Sequence, residues 1–284
     1  MVAAMIERSI ACVGPHGFHR LAYLEWPGPR DALTVICVHG LTRNARDFDT
    51  LAEALSDRYR VVCPDMPGRG QSAWLPASED YAYPLYIADI VTLIARLDVA
   101  ALDFVGTSMG GLIGILLAAM PGAPIRRLVV NDVGPVVPKD GIERIAAYVG
   151  LDPSFPDLDA LEAALRRIHA PFGPLSDAQW RHMALHSARR KPDGGFGLAY
   201  DPKIAEPFKK QPIEDVDLWS SWDAISCPTL VLRGAQSDIL RRQDADAMTQ
   251  RGPKARLVEF AGIGHAPSLT APDQIAAIGD FLLG

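Results

Sequence analysis

Cysteine is scarce in this chain, and what there is has no metal-ligand spacing. Four thiols occur in 284 residues, Cys12, Cys37, Cys63 and Cys227. The last three lie in or beside apolar runs, so they read as small core hydrophobes. Basic charge is not in excess either. Twenty-eight Lys and Arg face 34 Asp and Glu, a net charge of -6 and a pI near 5.6, with no basic stripe of the kind nucleic-acid binding demands. No apolar run reaches the length that spans a bilayer. The first residues carry no targeting pattern, because Met1 to Ala4 is too short for an apolar h-region and the charges of Glu7 and Arg8 interrupt the next stretch. These absences exclude nucleic-acid and membrane partners and lead to an expectation of cytoplasmic residence. What is present is apolar bulk. At 49% hydrophobic, a chain of this length can bury roughly three quarters of its unfolded surface. One domain with an insertion fits best.

The informative stretch runs from Leu102 to Gly114, L-D-F-V-G-T-S-M-G-G-L-I-G. A short apolar strand passes through a glycine turn into a small-residue helix, with Ser108 at the apex. G-x-S-x-G in that setting is a nucleophile elbow: the turn lifts the hydroxyl clear of the backbone and strains its residue. A Cβ at Gly106 or Gly110 would collide. The helix after the turn directs its positive end toward the place where an oxyanion would develop.

With these residues the chain resembles the α/β-hydrolase fold family over essentially its whole length. The resemblance implies a mostly parallel eight-stranded sheet flanked by helices, with a helical cap inserted after strand six. It also implies a Ser…Asp/Glu…His order. Other landmarks agree. Residues 5–26 read as a hairpin around Gly14-Pro15-His16-Gly17, with His16 and His19 as solvated loop histidines. The strand T-V-I-C-V-H-G-L at 34–41 ends at the oxyanion loop, and the resemblance places the backbone donors at Leu41 and Met109. The run D-M-P-G-R-G-Q-S at 65–72 resembles the tight turn beside that loop and reads as architecture. Tyr83 to Leu97 is helical, with Ile87, Ile90, Val91 and Ile94 on its buried face and Asp89 on its surface. Two carboxylates compete for the acid role. Asp238 comes after the seventh-strand candidate in an R-G-x-x-S-D context and is the expected acid, while Asp132 at the tip of the sixth strand is its rival. His265, on the loop after the eighth strand, is the expected base.

From residue 135 the strand signal disappears, and helices broken by Gly and Pro replace it as far as residue 222. The expected division is therefore a core of residues 1–134 and 223–284 and a cap of 135–222. Leu158, Leu161, Leu165 and Ile168 line one cap helix, and Ser176 can cap another. Arg43, Tyr148, Phe172, Trp180, Met183 and Phe208 are candidate pocket side chains. His182 and His186 stand at i and i+4, a spacing that could bind metal. With no H-E-x-x-H pattern they read as solvated or lid-lining, and no metal or cofactor is expected. A serine hydroxyl needs a base within reach, and that base needs a fixed tautomer. The constellation therefore points to hydrolysis of carboxylic esters of small to medium apolar or aromatic acids, by a monomer or homodimer acting on a small molecule. Carbon-carbon hydrolases of this type usually carry Trp after the histidine and Asn before the serine, where this chain has Ala266 and Thr107. Lactone hydrolysis and perhydrolysis need nothing the sequence lacks, and a small-molecule receptor could keep the same triad.

Overall fold

A computed structural model describes residues 4–210 and 212–284. Eight strands form the central sheet: β1 (Ile6–Gly14), β2 (Gly17–Trp26), β3 (Leu33–Val38), β4 (Tyr59–Pro64), β5 (Leu102–Thr107), β6 (Ile125–Asn131), β7 (Thr229–Gly234) and β8 (Arg256–Phe260). Their spatial order is β1-β2-β4-β3-β5-β6-β7-β8. β1 and β2 pair antiparallel, as do β2 and β4. Every later pairing is parallel. Because strand side chains alternate, β3 divides its apolar residues between the two faces. Ile36 and Val38 join the core layer that contains Ile90 and Ile113, whereas Val35 and Cys37 join the layer that contains Leu51 and Ile278. Such two-sided burial is why the central strands read as unbroken apolar runs. All four cysteines are free thiols, three of them fully buried.

On the first face lie α2 (Tyr83–Leu97) and α3 (Met109–Ala118), on the second α1 (Asp49–Leu55) and the closing helix Pro272–Leu283. The extent of α2 is as expected, but its buried face is rotated. Tyr86, Asp89, Ile90, Leu93 and Leu97 point inward, and Val91 is 49% exposed. That face includes a polar pair: His19 Nε2 meets the buried Asp89 carboxylate at 2.9 Å, so neither group is a surface residue. His16 is likewise held, by Asp80 at 2.7 Å.

Between β6 and β7 the chain makes α4 (Lys139–Ala146), α5 (Leu158–Ile168), α6 (Asp177–Ser187), α7 (Glu206–Lys210) and α8 (Trp219–Ala224). Helices dominate here, but strand structure does not vanish. Val136–Val137 pairs with Val216–Asp217, and Ala188–Arg190 pairs with Phe196–Leu198. These ribbons are too short for a periodic signal. Two side-chain caps fix the main helices: Asp157 accepts from Ala160 N–H at 2.8 Å, and Ser176 with Gln179 forms a capping box. Leu161, Leu165 and Ala184 join α5 to α6 in a small apolar cluster of their own. Among the described residues, no helix is long and apolar enough to cross a membrane.

Candidate active site

The elbow is built by exclusion. At Gly106 an added Cβ would lie 2.2 Å from Gly110 O, and at Gly110 it would lie 2.0 Å from Val38 O. Only hydrogen at both positions lets β5 turn into α3 beneath β3. Ser108 itself adopts φ 53°, ψ -115°, a conformation that L-residues avoid and that a functional turn maintains at an energetic cost. Its hydroxyl is 2.9 Å from His265 Nε2.

The acid beside His265 is Asp132, and this corrects the expectation that Asp238 would fill the place. His265 Nδ1 lies 2.8 Å from Asp132 Oδ2. The Asp132 carboxylate is wholly buried and accepts further bonds from Gly234 N–H at 2.8 Å and Ser237 O–H at 2.6 Å. Asp238 is 44% exposed and pairs with Arg144, with 3.0 Å between Asp238 Oδ1 and Arg144 Nη2. The reason is a one-residue matter. The loop leaving β7 turns Ser237 inward, where its Oγ also accepts from Ile239 and Leu240 N–H, so the next side chain faces solvent. The S-D context therefore marks a donor to the acid and not the acid. Next to Asp132, Asn131 donates to Thr107 Oγ1 at 3.1 Å and to Pro267 O at 2.9 Å, tying the elbow to the histidine loop.

The loop after β3 is held by groups the sequence left unassigned. His39 is completely buried, and desolvation lowers its pKa to about 3. As a neutral ring it donates from Nδ1 to Gly40 O at 2.7 Å and accepts Met66 N–H at Nε2 at 2.9 Å. Arg69, also fully buried, donates to Leu41 O, Pro67 O and the Tyr86 hydroxyl. Its remaining nitrogen is 3.7 Å from Met109 Sδ. One guanidinium thus spans the two residues whose backbones are the expected oxyanion donors. Asp65 anchors the same loop through Ala45 and Gln71 N–H, each at 2.7 Å, and burial raises its pKa to about 6.

Over Ser108 opens a cavity of about 420 Å³. Four of the six expected pocket side chains line it: Arg43, Tyr148, Phe172 and Met183. Two do not. Trp180 is buried within the helical segment with Arg166 over its ring, and Phe208 lies on α7, which packs on the turn at Ser78–Asp80. Arg43 is also a clasp. Its Nε meets Asp47 at 2.9 Å and its Nη1 meets Ser187 Oγ at 2.9 Å, while neighbouring Asn44 donates to His186 O at 2.9 Å. His169, which the sequence did not single out, lines the cavity beneath α5 and stacks on Phe172 with centroids 4.6 Å apart. Burial, with Arg43 and His265 nearby, holds it well below the usual histidine range, so it is neutral. The A-P-F sequence directly after it gave no sign of this inward turn. Away from the cavity, Cys12, His19 and Asp89 meet in the core. Burial and Asp89 push the Cys12 thiol up to about 12. A thiol that remains protonated is a poor ligand, and the trio is a hydrogen-bonded core contact.

Residues 35–278 match the profile of the Alpha/beta hydrolase family, and with this sheet order and elbow the chain belongs to that family. It is 47% identical to the 3-hydroxybutyrate-oligomer hydrolase of Cupriavidus necator, across 97% of each chain. An esterase of Mycobacterium tuberculosis is 30% identical over 91% of this chain and 84% of its own. Among solved structures, an alpha/beta hydrolase from Novosphingobium aromaticivorans superposes with a TM-score of 0.88 at 39% identity, covering 100% of this chain and 99% of that one.

Proposed function

We propose that this chain hydrolyses carboxylic esters through an acyl-enzyme on Ser108, and that its substrates are short soluble oligoesters of hydroxy acids such as 3-hydroxybutyrate. The observation that carries the reading is the unbroken line Asp132–His265–Ser108 at the cavity. Asp132 accepts from Nδ1 and so fixes the tautomer that leaves Nε2 free to take the serine proton. Ser108 Oγ attacks the ester carbonyl. The backbone N–H groups of Leu41 and Met109 receive the oxyanion, Met109 being the first residue of α3, where N–H groups have no partner within the helix. His265 then gives its proton to the leaving alcohol, and water attacks the acyl-enzyme by the same route in reverse order. In this reading residues 135–222 serve as the lid, and residues 1–134 with 223–284 as the catalytic core.

The substrate class rests on likeness to the Cupriavidus enzyme and on the character of the lining. An oligomer of a hydroxy acid alternates methyl-bearing carbons with ester groups and ends in a hydroxyl and a carboxylate. The cavity lining is likewise mixed, with Leu41, Phe172 and Met183 together with Arg43, His169 and Gln179. This lining moves the preference away from purely apolar or aromatic acids. The test is release of monomer from the 3-hydroxybutyrate dimer and trimer, beside nitrophenyl esters from acetyl to octanoyl, each with Ser108→Ala. Oligomer turnover abolished in the variant is expected. Turnover of nitrophenyl esters alone would leave an esterase but remove the oligomer assignment, and activity surviving Ser108→Ala would sink the mechanism.

A further inference from the structure

At the rim of the cavity, three side chains from different parts of the chain converge. Asp49 opens α1 in the core, and His182 and His186 occupy successive turns of α6 above it. Their ligand atoms all lie within 4.8 Å of one another. His182 Nε2 stands 3.1 Å from Asp49 Oδ2, and the two imidazoles pack edge to face with centroids 4.4 Å apart. Asp49 has an oxygen to spare. Its Oδ2 already receives Arg46 at 2.6 Å, while Oδ1 is buried with no hydrogen-bond partner among the described residues.

We propose that Asp49, His182 and His186 form a site for a divalent transition-metal ion, of the zinc or nickel class, that bridges α1 to α6 at the mouth of the cavity. Two imidazoles and one carboxylate are a donor set that such ions accept, with further positions open to water. The i, i+4 spacing alone did not identify the site, because the third ligand comes from the first quarter of the sequence. The protonation states pull in different directions. Burial, with Arg46 and His182 beside it, lowers His186 to about 4, so its ring is neutral; Asp49 and Asp47 act weakly the other way. Against the pull of burial, His182 and Arg46 hold Asp49 ionised. The hydrogen bond to Asp49 raises His182, so a proton on this ring competes with the ion and must be released on binding. Arg46 is the opposing charge; its guanidinium already sits on Asp49 Oδ2, which leaves Oδ1 as the unpartnered oxygen.

The consequence is mechanical. Asp49 and His182 both line the cavity, so an ion between them pins the helical segment to the core and narrows the opening. The site is independent of the ester reading and is tested without turnover. Protein stripped with a chelator is titrated with ZnCl2 in a calorimeter, and its thermal unfolding is recorded with and without the ion. One ion per chain, a rise in Tm, and at least tenfold weaker uptake in both His186→Ala and His182→Gln are expected. The Tm of each ion-free variant reports whether it is folded, and Asp49→Asn supplies a third probe. Uptake unchanged in both histidine variants, or no uptake by the wild-type chain, would overturn the proposal. In a parallel nitrophenyl-ester assay, zinc inhibition should be relieved by chelator and lost in His186→Ala. Inhibition that persists in that variant places the ion elsewhere, for example on His265, and counts against the bridge.

Discussion

The tips of β6 and β7 are adjacent, and each presents an aspartate to the same edge of the sheet, yet the two carboxylates have opposite fates. Asp132, just past β6, is fully buried and accepts from a backbone N–H, a serine hydroxyl and His265. Asp238, a few residues past β7, faces solvent and pairs with Arg144. A carboxylate can orient and stabilise an imidazolium only if its own solvation has been replaced by fixed donors. Position after a strand is therefore insufficient. What distinguishes the two tips is the set of donors waiting at each, and at β6 the neighbouring strand β7 supplies them.

The comparison breaks most sharply at Asp132. Asp132→Asn keeps the volume but offers His265 the wrong partner, and kcat should fall by roughly 10³ to 10⁴, a smaller loss than in Ser108→Ala, with KM little changed. Steady-state kinetics on a nitrophenyl ester measure this directly. If Asp238→Asn were equally damaging, the contrast between the tips would have no functional meaning. Ser237→Ala is the intermediate case. It removes one donor from Asp132 and leaves the loop N–H groups of Ile239 and Leu240 without their acceptor. A net loss of about 1–2 kcal/mol, read as roughly tenfold in kcat, is expected. Activity equal to wild type would show that Gly234 N–H alone suffices. The smallest effect belongs to Asp238→Asn, which removes an exposed ion pair. Activity should stay within about twofold, and stability in urea should change by less than about 1 kcal/mol.

Much of this fold was legible because its signals are local. The apolar runs of β3, β5 and β7 and the G-x-S-x-G turn lie within short windows, and Ser108 emerged from them, whereas His265, on the loop after β8, was expected from the family resemblance. What escaped depends on contacts between distant segments. The inward rotation of α2 needs His19 from another element to satisfy Asp89. Trp180 packs under Arg166 of α5 and does not line the cavity, a pairing between two helices that neither helix's own pattern shows. The choice of acid failed for the same reason: R-G-x-x-S-D drew attention to the right loop, but the burial of Ser237 and exposure of Asp238 are set by a turn whose register the residues alone do not reveal.

The clasp made by Arg43 and Asn44 bears on how such a protein could be re-engineered. One loop carries both the expected oxyanion donor at Leu41 and the side chains that grip Ser187 and His186 O. In the proposed reading, a side chain that lines the cavity, Arg43, and the oxyanion donor thus belong to a single piece of chain. Substitutions that loosen the grip to admit bulkier esters would also slacken the donor, so breadth and speed should trade against each other along any mutational path through this loop. Variants that enlarge the cavity from the helical segment, at Ile145 or Leu175, lie on other pieces of chain and make better starting points for a library.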